Sequence, residues 1–175
     1  MTGQAGSSPV EVAAEIFAEL KRHDLDAMQS RARDDAVDDF VAIGQFRGRA
    51  AIRGLFDELL GAFPDFDIDV VHMVGDDQHA VIQWHATGTF TGTPFQGVHA
   101  TGRRVDLRGC DVMRFEDGKL THNTIYYDGL GFARQVGLLP REGSAADKAM
   151  TAAFNAGVDV WARLHKSSPE MAHAG

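Results

Sequence analysis

Acid–base chemistry is first expected at Asp111. It stands in the run Arg104-Val105-Asp106-Leu107-Arg108-Gly109-Cys110-Asp111-Val112-Met113-Arg114-Phe115. In extended backbone alternate side chains take opposite faces, so Asp111 shares a face with Leu107, Met113 and Phe115. A carboxyl on an apolar face is desolvated, which penalises its charged form and raises its pKa. Such a group can donate a proton or a hydrogen bond near neutral pH. The competing expectation is a core aspartate satisfied by Arg108, Arg114 or a buried hydroxyl. Asp128, after Tyr127, reads first as the cap of a helix that begins near Leu130 and second as an acid or base. Between them, Thr121, Asn123, Ile125 and Tyr127 share one face of a strand. That set suits a pocket lining, with Asn123 and Tyr127 as its polar handles. Trp84 and His85 are adjacent in another strand, so only one can face the pocket. Trp84 is assigned there, and His85 is taken as structural.

Other chemistries find little support. His72, His79, His85, His99 and His122 are scattered, and no pair has metal-ligand spacing. Cys110, the sole cysteine, can form neither an internal disulfide nor a thiolate metal site. Gly92, Gly97 and Gly102 do not follow a phosphate-binding pattern, and no Gly-x-Ser-x-Gly elbow carries a serine nucleophile. A net charge of −8 argues against nucleic acid as a partner. No signal peptide and no membrane-spanning run is visible, so a cytoplasmic protein without membrane contact is expected.

The elements that must position these groups follow from periodicity. With 175 residues, 44% hydrophobic and 24% charged, one domain with a sizeable core is expected. Met1–Pro9 reads as a disordered tail. Val12, Ile16 and Leu20, flanked by Ala13 and Phe17, predict a helix, and a short second helix follows near Ala27. The acidic stretch Asp34–Val41 reads as a turn leading into a short strand. Ala51, Ile52, Leu55, Phe56, Leu59 and Leu60 predict a strong helix begun by Gly48 and stopped by Pro64. Strands are expected over Phe66–Met73, Ala80–Phe90, Arg104–Phe115 and Leu120–Tyr127, the last two joined by an Asp117-Gly118 hairpin turn. A helix to Val136 ends at Gly137. Met150, Phe154, Val158, Trp161 and His165 lie at helical spacing in a last helix from Ser144, whose apolar stripe packs on its own sheet or on a second copy. The domain is expected over 10–140, with 141–175 as a helical extension. Helices first and a strand meander after them make an α+β pattern.

Three stretches resemble the SnoaL-like cyclases of the nuclear-transport-factor-2-like superfamily: Gly88-Thr89-Phe90-Thr91-Gly92; Thr101-Gly102-Arg103-Arg104-Val105; and Asp111 to Phe115 continuing through Tyr127-Asp128 to Gln135-Val136-Gly137-Leu138-Leu139-Pro140. The likeness spans Glu11 to Pro140. It implies a curved mixed or antiparallel sheet wrapped around N-terminal helices, a deep apolar pocket and a homodimer. Two further stretches resemble the ketosteroid isomerases, which share that fold. Val37-Asp38-Asp39-Phe40-Val41 matches the segment carrying their catalytic base, which falls on Asp39. Asp111-Val112-Met113-Arg114-Phe115 matches the segment carrying their protonated oxyanion acid, which falls on Asp111. Phe17 stands where they have an oxyanion tyrosine, and it becomes a pocket-lining residue here. Phe40 stands where they have a proline.

The resemblance implies cofactor-independent acid–base chemistry, an isomerisation or aldol-type cyclisation, on a hydrophobic carbonyl compound. Asp39 or Asp128 is the expected base, Asp111 the expected oxyanion stabiliser, and Phe17, Trp84, Asn123 and Tyr127 the substrate contacts. A non-catalytic binding protein for a hydrophobic small molecule is the alternative. Two carboxyls converging in an apolar cavity favour the enzyme, and one isolated acid favours the binder. Epoxide hydrolysis of the limonene-epoxide-hydrolase type requires an inward arginine, against the parity of Arg108 and Arg114.

Overall fold

The computed structural model describes residues 7–166. The expected tail of residues 1–9 falls mostly outside that range, but Ser8 and Pro9 belong to a helix start. Ser8 and Glu11 form a reciprocal capping box, and Pro9 opens α1, Pro9–Lys21. The cap supplies partners for backbone N–H groups that the first turn leaves unpaired. Helix α1 buries Val12, Ala13, Ile16, Phe17 and Leu20, the stripe its spacing predicts. After the short α2, Leu25–Ser30, capped by Asp24, the chain enters β1, Ala32–Phe40.

Strand β1 is a correction. The acidic stretch read as a turn leading into a short strand is strand throughout, part of a nine-residue element with Ala36 and Asp38 buried. The charges stay compatible with a strand because they alternate: Asp35, Val37 and Asp39 point away from the core side occupied by Ala36, Asp38 and Phe40. A second strand not anticipated, β2, Gly44–Arg47, pairs antiparallel with β1. Helix α3, Arg49–Ala62, follows Gly48 as expected. Then come β3, Asp67–Gly75; β4, His79–Thr89; β5, Arg104–Glu116; and β6, Lys119–Tyr127.

The six strands form one sheet in the order β2-β1-β6-β5-β4-β3. Only β1 and β6 pair in parallel, with Asp38 opposite Asn123. This one contact between chain-distant strands brings the acidic segment beside the pocket-lining strand. Helix α4, Gly129–Val136, ends at Gly137 with φ 87°, a left-handed turn suited to glycine.

The apolar face of the sheet packs against α1 and α2 around Ile82, Met113, Phe115 and Ile125. A second cluster gathers Phe63, Phe90, Phe95, Val105 and Val136. These two clusters leave a gap between sheet and helices, and the site lies in it. Residues 7–138 form one compact unit, and residues 139–166 belong to a second, built on α5, Ala145–Lys166. Within α5 the expected stripe of Met150, Phe154, Val158 and Trp161 is exposed. No helix among the described residues is long and apolar enough to cross a membrane.

Candidate active site

Asp111 points inward, as its parity in β5 requires, and is 6% exposed. No arginine satisfies it. Trp84 Nε1 donates to its Oδ1 at 2.7 Å, and Asn123 Nδ2 donates to its Oδ2 at 2.8 Å. The donors come from the strands on either side, β4 and β6, so the sheet itself clamps the carboxyl. Gly109 makes the clamp possible. It lies opposite Trp84 in the β4–β5 register, and a side chain there would collide with the indole ring. Glycine lets the ring lie across β5 towards Asp111, two residues on. Arg114 instead pairs with Glu116. His85 points the other way and binds Asp106.

Burial pushes the Asp111 pKa up to about 6, against the pull of the Asn123 and Trp84 hydrogen bonds. Those donors favour the ionised form, and desolvation opposes it more strongly. The result is a carboxyl that exchanges protons near neutral pH while both oxygens are held in place.

A cavity of about 120 Å³ opens in front of Asp111. Phe17, Phe40, Phe56, Trp84, Ile125 and Phe132 form much of its wall, and among the described residues its polar groups are Asp111, Asn123, Tyr127 and the Trp84 indole N–H. Phe17, Trp84, Asn123 and Tyr127, the four contacts expected from the sequence, all line it. Burial raises the Tyr127 pKa, so its phenol stays protonated and able to donate.

The two bases expected from the sequence lie elsewhere. Asp39 points to the opposite side of β1 and accepts from Gln45 Nε2 at 3.0 Å, across the β1–β2 pair. Asp128 caps α4, its Oδ1 accepting from Gly131 N at 2.7 Å. Neither lines the cavity. The residue that sequence reasoning missed is Asp38. It is 4% exposed, and its pKa is pushed up to about 7, first by burial and then by the charge of Asp111. A signal for it existed in the period-two spacing of Ala36, Asp38 and Phe40, had the strand been started before Asp38 and not after the acidic run. Among the described residues no cluster of His, Cys, Asp and Glu is arranged to hold a metal ion.

The family model for SnoaL-like polyketide cyclase matches residues 11–136. Several solved structures share the fold at low identity. One is a candidate SnoaL-like polyketide cyclase from Jannaschia sp. CCS1, at 20% identity and TM-score 0.68, covering 77% of this chain and 98% of that one. Another is AclR, a candidate hydroxylase from Streptomyces galilaeus, at 24% identity and TM-score 0.66, covering 79% and 90%. A third is IdmH, a candidate polyketide cyclase from Streptomyces antibioticus, at 22% identity and TM-score 0.64, covering 75% and 99%. No curated protein matches the sequence.

Proposed function

Starting from a chain that belongs to the SnoaL-like polyketide cyclase family, we propose that it performs acid–base chemistry on a hydrophobic carbonyl compound, with Asp111 as the group that exchanges a proton with substrate. The observation that carries this reading is Asp111 itself: a carboxyl held by Trp84 and Asn123 at the wall of an aromatic cavity, with its pKa near 6.

Asp111 rather than Asp39 or Asp128 is the base, because it alone of the three meets the cavity. Ionised, it takes a proton from the carbon next to the carbonyl. The negative charge moves to the carbonyl oxygen, where the Tyr127 hydroxyl is the available donor. The Asp111 acid then returns the proton at another carbon, giving an isomer, or the enolate closes a ring on a second carbonyl. This proton transfer uses no cofactor. The aromatic wall favours an apolar, ring-containing substrate, since such side chains supply contact area and little hydrogen bonding. Asp111 is the one carboxyl on the aromatic cavity, and Asp38 joins it only in the wall of a smaller chamber, so the enzyme reading rests on the raised pKa of Asp111 at the cavity wall and the exchange measurement below decides against the binder. A valine row across the outward face of the sheet, Val74, Val81 and Val112, supports a homodimer.

A screen of enolisable polycyclic ketones and esters for thermal upshift finds ligands, because a molecule that binds only the native state stabilises it. Hydrogen–deuterium exchange at the carbon next to the carbonyl of 2-tetralone is then followed by NMR. Asp111→Asn is expected to slow it by about 2 to 4 powers of ten, the range for a lost general base. Ligand binding with background exchange in both parent and variant makes the protein a binder instead.

A further inference from the structure

A second, smaller cavity adjoins the first and shares Phe17, Leu20, Phe56, Asp111 and Asn123 with it. Its volume is about 50 Å³, and Asp38, Asp111 and Asn123 are among its walls, with Ile16, Met113 and Leu120. Both cavities share Asp111 and Asn123, and only the small one reaches Asp38. Size decides the occupant. A buried water needs roughly 10–15 Å³ measured in the same way, so the chamber holds a few waters and no ring-containing substrate.

Its polar groups also call for water. Asn123 spends its amide N–H on Asp111 Oδ2, which leaves Asn123 Oδ1 as a buried acceptor with no partner among the described residues. Asp38 Oδ1 is a second such acceptor. The parallel β1–β6 register sets Asp38 directly opposite Asn123. Two acceptors cannot satisfy each other, so a donor must stand between them. Water supplies two O–H groups, and a protonated Asp38 supplies one.

The chamber leads outward. Ala32, Arg33 and Arg49 line both it and an open surface cleft shared with Asp34, Asp35 and Lys119. Arg33 pairs with Asp35 and Glu116, and Arg49 pairs with Asp34. With these guanidinium groups already matched, the mouth suits water rather than an anionic ligand.

We infer that this chamber is a buried water site, and that Asp38 is a relay through which the proton on Asp111 exchanges with solvent without crossing the apolar cavity. The relay rests on the acid–base reading of Asp111, whereas the water site does not. One proton arrives on Asp111 from the substrate carbon. Asp38 gives its own proton to a chamber water that passes it to the cleft. The Asp111 acid then hands its proton through a second water to the vacated Asp38 carboxylate. Within the relay only O–H bonds change and the pair returns to one negative charge; the same path run in reverse brings a solvent proton to Asp111, which delivers it to the enolate carbon and completes the exchange. The Asn123 amide cannot carry the proton itself, but its orientation presents N–H to Asp111 and an acceptor to the chamber. It thereby favours an ionised Asp111 and a protonated Asp38.

The test needs no substrate for its first arm. Met113 and Leu120 line the chamber and not the larger cavity, so NMR cross-relaxation between water and their methyl groups, read on the full chain, reports water held there. Asp38→Leu removes the polar wall, and Ala32→Leu fills the chamber from the side without touching either carboxyl. The parent is expected to show these water–methyl cross-peaks and each variant to lose them. Absent cross-peaks in the parent, or unchanged cross-peaks in folded Ala32→Leu, overturn the water site, whatever becomes of Asp38→Leu. The second arm repeats 2-tetralone exchange. A ten-fold slower turnover in Asp38→Leu with unaltered 2-tetralone affinity supports the relay, and an unaltered turnover overturns it. Water–methyl cross-peaks lost in Ala32→Leu, with no tetralone exchange in the parent, overturn the catalytic reading and the relay together and leave the water site standing.

Discussion

Asp38 and Asp39 are neighbours in one strand and live in different solvents. Asp38 faces the interior and titrates near 7 because burial first and the Asp111 charge second oppose its ionisation. Asp39 faces the β2 side and takes an ordinary surface hydrogen bond from Gln45. The same contrast runs through the molecule. Asp65, Asp67 and Asp76, on the exposed side, have carboxyls held below the usual range, chiefly by hydrogen bonds from Thr89, Lys21 and the Gln78 and His79 backbone. An aspartate therefore acquires its chemistry here from the face it occupies, and a one-residue step reverses it.

The sharpest way to break that comparison is the pH dependence of stability. The folded Asp38 pKa of about 7 lies above its ordinary 3.8, so between those values the native state binds more protons than the unfolded chain. Stability is then greatest below about pH 4 as far as this group is concerned, and it falls as pH rises towards 7. At 1.36 kcal/mol per unit, the cost of ionising Asp38 in place is at most about 4 kcal/mol. Asp38→Asn removes that cost and can offer its amide to Asn123 Oδ1. Urea unfolding should show the variant gaining roughly 2–4 kcal/mol on the parent at pH 8 relative to pH 5. Parallel stability curves for the two proteins would mean that Asp38 ionises as freely as a surface residue.

A smaller effect is expected at the strand end. Asp128 caps α4, so Asp128→Ala should cost about 1 kcal/mol, the usual range for a lost N-cap, by the same urea measurement. Its 2-tetralone exchange should stay within a factor of about three of the parent, below the 10²–10⁴ expected of a lost general base. A loss of exchange in that larger range would return Asp128 to the active site.

The smallest effect belongs to Asp39. Asp39→Asn keeps a side chain that can still bond Gln45, and a surface substitution of this kind usually shifts stability by less than about 0.5 kcal/mol. Exchange on 2-tetralone should match the parent. If it falls with Asp39→Asn and not with Asp38→Asn, the assignment of inner and outer faces in β1 is reversed.

Much of the site was readable one strand at a time. Parity alone turned Asp111 inward with Leu107, Met113 and Phe115, and aligned Asn123 with Tyr127. Those assignments held because each needs only the two-residue repeat of a strand whose apolar positions are clear. Asp38 was lost because Asp34–Asp39 carries four carboxylates in six residues, and charge density outweighed alternation. Asp39 entered through a local match to another family's segment, and a match of that kind carries a register uncertainty of one residue, which in a strand means the wrong face.

The sequence by itself determined the family, the α+β class with helices α1 and α3 and strands β3 to β6, the cap of α4, and an inward Asp111. These rest on local periodicity and local hydrogen bonds, which a short window of residues contains. Only the tertiary structure decided what Asp111 meets. Trp84 reaches it across Gly109 from 27 residues away in the chain, and Asn123 from 12. Asp38 arrives beside Asn123 through the parallel pairing of β1 with β6. Desolvation and charge coupling depend on distance in space, and no spacing along the chain records which strands will lie side by side.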